Sequence, residues 1–153
     1  HYFPNQMEIL RIAAHLITLE AQQFTVKTLS AVKTPKEMIE AVVHAAVRFA
    51  QLNPSYFPIW LLFVHTCSYD KELRNWHTEV RTMGARRLSE VLSQFPPSAS
   101  LNEAERFTLA RKIQAVIAGY LTEAHTSQFI SPQQLESHLS QTLFKFFKKE
   151  NRR

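Results

Sequence analysis

The chain has 153 residues, of which 45% are apolar, with one cysteine, two glycines and a formal charge of +5. That length suits one domain, able to bury about 68 to 70 percent of its unfolded surface without staples. A single cysteine excludes an internal disulfide, and two glycines leave little for the turns that sheets need, so the expected fold class is all-α.

No apolar run reaches the roughly 18 residues of a membrane span and no signal-peptide pattern is present, so no membrane partner is expected and a cytoplasmic location fits. The basicity is concentrated: Lys145, Lys148, Lys149, Arg152 and Arg153 stand against Glu150 in the closing residues. Such a tail suits the negative pole of a helix end better than a nucleic-acid patch. Residues 150–153 are read as this basic tail.

Asn5 and Glu8 have the spacing of a capping box, and Ile9, Ile12, Ala13, Leu16, Ile17 and Leu19 recur at helical intervals. The first helix is predicted over 5–23, with 24–33 as a loop or frayed extension. Thr34, Pro35 and Glu37 supply a cap, a first helical residue and a capping acid ahead of Met38, Ile39, Val42, Val43, Ala46, Val47 and Phe49. This second helix should end near residue 52, at Asn53 and Pro54.

The stretch 56–67, YFPIWLLFVHTC, is apolar on every side and is predicted to be a central helix enclosed by the others. Asp70 can cap a long helix to about residue 94. Its inward stripe would be Leu73, Trp76, Val80, Met83, Leu88, Val91 and Leu92, with Arg74, Glu79, Arg86, Arg87 and Glu90 outward. Gly84 inside it costs about 1 kcal/mol against alanine, which close helix packing would explain. The prolines within 95–99 break the chain. Ser100 with Glu103 then opens a helix to about residue 125, and Ser131 with Gln134 opens the last one.

These last two helices are apolar on two sides. On the first, Phe107, Ala110, Gln114, Ile117 and Leu121 make one stripe, and Leu109, Ile113, Val116, Tyr120 and Ala124 make another beside it. The final helix places Leu135, Leu139, Leu143 and Phe146 on one face, with Phe144 and Phe147 on another. A second copy packing these helices into a four-helix bundle would cover the surplus over an interface of about 1,200 to 2,000 Å² or more. A homodimer is therefore expected, against a monomer with a thick core. Its interface would hold Ile113, Val116, Tyr120, Ala124, Leu135, Leu139, Leu143 and Phe147.

The opening HYFPNQMEIL resembles the junction between recognition helix and next helix in TetR-family transcriptional regulators, through Tyr2, Phe3, Asn5 and Ile9. The stretch 46–57, the long fourth helix, IAGYL at 117–121 and the two closing helices follow in the family's order. Gln6 stands where a phosphate-contacting Lys is usual and Met7 where Glu is common. The resemblance implies that 1–4 is the remnant of a DNA-reading helix, with His1 and Tyr2 on the DNA side, and that 5–149 is an effector-binding and dimerisation domain. It further implies a dimeric regulator, most often a repressor, that releases operator DNA when a ligand shifts the helix 5–23.

The cavity implied by the resemblance lies among the first five helices. Candidate contacts are Leu16, His44, Trp60, Phe63, Val64, Cys67, Trp76, Val80, Gln114 and Ile117. A lone histidine at position 44 is more often a hydrogen-bonded core group than a ligand contact, and Gln114 needs buried partners or a ligand to offset its desolvation. Many aromatics among few charges favour a small apolar or aromatic effector. No cofactor and no metal are expected: no His-x-x-x-His pair occurs, and His65 and Cys67 point to different sides of a helix. Two Ser-x-x-Lys matches, at 30–33 and 68–71, lack their partner motifs, so no enzyme is expected. The alternative from another class is a helical carrier that holds an apolar cargo with no DNA-linked role.

Overall fold

A computed structural model describes residues 3–96, 98–127 and 129–150. Among these the chain forms six α-helices and no strand: α1 (Phe3–Leu29), α2 (Pro35–Leu52), α3 (Tyr56–Thr66), α4 (Lys71–Leu92), α5 (Glu103–Thr126) and α6 (Pro132–Glu150). A 3-10 turn, Ser98–Ser100, precedes α5. The all-α expectation holds. His1 and Tyr2, assigned to the DNA side, and residues 151–153 of the basic tail lie outside the described residues.

Local chemistry sets the boundaries. Thr34 Oγ1 accepts from Glu37 N at 3.2 Å while the Glu37 carboxylate accepts from Thr34 N, closing the predicted capping box. Asp70 Oδ1 accepts from Leu73 N at 2.8 Å, and Ser131 and Gln134 make the reciprocal pair that opens α6. The box predicted at Ser100 and Glu103 is instead formed two residues on, by Asn102 and Glu105, each within 2.9 Å of the other's backbone N–H. Asn caps as well as Ser, and this register turns Leu109, Ala110 and Ile113 inward.

The predicted start of α1 at Asn5 and its end near residue 23 are both corrected. The helix runs unbroken through residue 5 and on to Leu29. No glycine or proline interrupts 24–29, Phe24 meets the Phe49 ring at 6.0 Å, and Leu29 packs on the core. Thr25, Val26 and Thr28 are weak helix formers, so it is packing that carries the extension.

The helix at the centre is α2, not α3. Met38, Ile39, Val42, Val43, Ala45 and Val47 are all buried on it. All of these but Ala45 join Ala85 and Leu92 of α4, Leu109, Ala110 and Ile113 of α5, and Leu135, Leu139, Leu143 and Phe147 of α6. A smaller cluster, Ala14, Phe63, Cys67 and Leu73, gathers Met7, Leu10, Trp60 and Trp76. In α3 only Phe63 is buried, while Leu62 is 56% exposed, so the expectation of an enclosed helix is overturned. A short run of apolar residues states how much surface could be buried, not how many neighbours exist to bury it.

Two further corrections concern which face turns inward. On α1, Met7, Leu10, Ala14 and Ile17 face the interior, whereas Ile9, Ile12, Leu16 and Leu19 are exposed. On α4, Leu73 and Leu92 of the predicted stripe are buried, but Met83 is exposed and Ala85 and Ser89 take inward positions beside the stripe.

The surplus on the closing helices also finds its cover inside one subunit. Leu135, Leu139, Leu143, Phe147 and Ile113 are buried, with Leu139 at 0% exposure, and Val116, Tyr120 and Ala124 pack half-buried against the same cluster. The Tyr120 hydroxyl lies 2.8 Å from Thr142 Oγ1. Five of the eight residues expected at a partner subunit, Ile113, Leu135, Leu139, Leu143 and Phe147, are thus corrected to core positions of one subunit, while Val116, Tyr120 and Ala124 keep part of their surface.

Gly84 marks the crossing of α4 and α5. A Cβ there would stand 2.8 Å from Gln114 Nε2, the close packing expected of that glycine. The clash is with the tip of a flexible side chain, so Gly84→Ala alone should leave stability nearly unchanged. In a Gln114→Ala background the same substitution should stabilise by about 1 kcal/mol in chemical denaturation, the helix-propensity gain without the clash. Destabilisation in that background would mean that backbone approach, not Gln114, demands the glycine.

Candidate ligand site at the aromatic cluster

Helices α3 and α4 are joined by a tight turn in which Arg74 reaches back, its Nε donating to Cys67 O at 2.8 Å and its Nη2 to Ser68 O at 2.5 Å. This satisfies carbonyls left open at the end of α3 and holds the two helices in fixed register. The register brings four rings together. Phe63 meets Trp60 at 5.4 Å, the edge of Trp76 at 5.3 Å and His77 at 5.5 Å, and Trp60 meets His77 at 5.4 Å. From α1, His15 meets Trp76 at 5.8 Å with the rings tilted by 57°; from α5, His125 meets Phe57 at 5.2 Å.

Within this apolar shell His77 is the exception. Its Nδ1 is sealed from solvent and has no hydrogen-bond partner among the described residues. Burial, and then the positive charge of Arg81, push its pKa below the ordinary imidazole value, so the ring is neutral near pH 7. Arg81, one turn further along α4, is half-buried as well. Burial and the like charge of Arg111 press its pKa down, yet a guanidinium stays protonated. Cys67 is buried, and burial followed by Asp70 raises its thiol pKa. A neutral thiol is not the nucleophile that a redox sensor needs.

The predicted contacts divide into three groups. Trp60, Phe63, Cys67 and Trp76 do come together in the smaller cluster. Val80, Gln114 and Ile117 are half-buried, with Gln114 at the α4/α5 crossing and Ile117 packed against the larger core. Leu16, Val64 and His44 are corrected. Leu16 is 53% and Val64 37% exposed, and neither belongs to the buried cluster. His44 lies on the outer side of α2, its Nδ1 2.9 Å from Glu136 Oε1 of α6, in an open groove with Ser137 and Ser140. The core role expected of His44 is not the one observed, since the side chain is exposed.

Sequence reasoning missed His77 and Arg81. A signal was present: Arg81, Ala85, Leu88 and Leu92 share a face at helical spacing, but the charge of Arg81 argued for placing it outward. Among the described residues no group of three or more His, Cys, Asp or Glu side chains could hold a metal ion, and no helix is long and apolar enough to cross a membrane. Comparison with protein-family models, with curated proteins and with solved structures finds no match.

The buried neutral imidazole has a consequence for stability. An unfolded histidine, with a pKa of about 6.5, takes a proton at a pH where folded His77 does not. The unfolded state then binds more protons, so stability is lost as the pH falls through about 6.5. Melting temperature should drop between about pH 7.5 and about pH 5.5, and His77→Phe, which keeps a ring in place, should flatten that drop. Parallel curves for both proteins would assign the effect to other histidines.

Proposed function

We propose that this chain is the ligand-sensing part of a TetR-like regulator, with the cluster around Phe63 as its site and α1 as its moving element. One observation carries the reading: the first half of α1 forms one wall of the cluster, through Met7, Leu10 and Ala14 and through His15 on Trp76. A ligand that inserted among Trp60, Phe63 and Trp76 would have to displace that wall. Because α1 is a single helix from Phe3, a displacement at residues 7–15 is transmitted along it as a rigid body. By the resemblance of residues 1–10, such a shift would change how paired DNA-reading modules match half-sites about 34 to 36 Å apart. Ligand and DNA would then oppose each other reciprocally.

The operator DNA belongs to this reading through the resemblance alone, and the homodimer and the cytoplasmic location through the resemblance and the sequence pattern. The burial of Leu135, Leu139, Leu143 and Phe147 inside one subunit supplies no argument for them. The test uses a neutral apolar dye, Nile red, whose binding should quench Trp60 and Trp76 and alter amide exchange in residues 3–15. A monomeric protein that binds the dye with unchanged exchange in α1 would favour the cargo-carrier alternative.

A further inference from the structure

Helix α1 is apolar on two opposite faces. Met7, Leu10, Ala14, Ile17, Ala21 and Phe24 recur at alternating intervals of three and four residues and are buried or half-buried. Ile9, Ile12, Leu16, Leu19, Gln23 and Val26 repeat the same intervals two residues out of step, which sets them about 200° round the helix from the first row. The five apolar members of this second row are 40 to 65% exposed, and no charged residue interrupts it. Exposed leucines scattered singly are ordinary, whereas a contiguous row marks a surface of association. Intervals of three and four average to a period of about 3.5, at which one helix presents a straight row of knobs to another.

The surface around the row is complementary to the row itself. Toward the end of α1 it runs into a groove of about 330 Å³ lined by Leu19, Gln22, Gln23, Val26, Lys27 and Arg87. Arg87 of α4 forms the far wall, its Nη1 donating to Gln22 Oε1 at 2.8 Å. The intervals three, four, three, four, three read the same in reverse. A two-fold axis midway between Leu16 and Leu19 therefore brings each row onto the other, with Leu16 of one copy beside Leu19 of the other and Ile9 beside Val26, at the groove. A contact between identical copies needs this self-complementarity.

We propose that the outward face of α1 docks a second copy of this chain, with the two α1 helices antiparallel and Ile9 of each copy seated over the groove of the other. The inference stands apart from the ligand-sensing reading. Each copy contributes a strip about 40 Å long and about 10 to 12 Å across, given the 27 residues of α1. A pair of such strips covers less than the roughly 1,200 Å² of a standard interface, so the association is weak and reversible. Gln23, the polar member, lowers the affinity further and helps to fix the register.

The test is sedimentation equilibrium of the intact chain from about 5 to about 500 µM, where a monomer–dimer equilibrium with Kd of about 10 to 100 µM is expected. Leu16→Glu sets a carboxylate at the centre of the row and should weaken dimerisation at least about tenfold. Because Leu16 is exposed, circular dichroism and the melting temperature in dilute solution should not change. Mixing Leu16→Cys with Leu19→Cys protein under mild oxidation should give chiefly the mixed disulfide, with Cys67 buried and out of reach. A chain that stays monomeric at the highest concentration overturns the proposal, as does a dimer that survives Leu16→Glu. A predominance of Leu16→Cys homodisulfide means parallel helices and overturns it too. Retention of a monomer on phosphatidylcholine vesicles, lost in Leu16→Glu, would assign the row to a lipid surface instead.

Discussion

Replacing Phe63 with alanine should cost about 3 to 5 kcal/mol and lower the melting temperature by roughly 10 °C. Phe63 is fully buried and is the ring that Trp60, Trp76 and His77 all touch. Its removal leaves a void walled by three rigid rings and by the backbone of α1 near Ala14, which can close only by moving a whole helix. The cost should therefore lie at the upper end for such truncations, since it grows with how poorly a site collapses. Leu62→Ala, one residue away on the exposed side of α3, should change stability by no more than about 0.5 kcal/mol. Thermal melts of the two variants decide the matter: similar losses would mean that α3 is packed all round, as its composition suggested.

The same contrast shows how far the sequence could be read. Caps were legible because they depend on residues three apart, and Thr34–Glu37, Asp70 and Ser131–Gln134 are where they were expected. Helix count followed from the caps and from the scarcity of glycine. Facing was not legible on α1, which carries one apolar stripe through Leu10, Ala14 and Ile17 and another through Ile9, Ile12, Leu16 and Leu19. Both have helical spacing, so periodicity alone gives no reason to choose, and the choice is made by where α2 and α3 lie. Likewise 56–67 has the richest apolar text, but α2 is central because its partners α1, α5 and α6 surround it.

At the candidate site the rings were legible and the charges were not. Trp60, Phe63 and Trp76 follow from the rule that large apolar groups seek the interior. Arg81 violates that rule, and a violation cannot be read from the rule it breaks. Its burial depends on the rotation of α4, which is fixed by Leu73, Ala85, Ser89 and Leu92 packing inward and by the Arg74 bonds that hold the turn before it. The structural consequence is a helix whose inward face is apolar at both ends and cationic in the middle.

Leu139→Ala should cost about 2 to 5 kcal/mol, and the loss should be the same at every protein concentration. The expectation separates two roles that look alike in sequence. If Leu139 faced a partner subunit, truncating it would weaken association, and the melting temperature would shift with concentration by mass action. In the structure Leu139 has no exposed surface and joins Leu143 and Leu135 against α2 and α5 within one subunit. Its loss opens a cavity in that core whether or not a second copy is present. Melts over a hundredfold range of concentration, for the parent and the variant, would reveal which holds. A deficit that shrank as concentration rose would return Leu139 to an interface, and with it the four-helix bundle that the two apolar sides of α5 and α6 suggested.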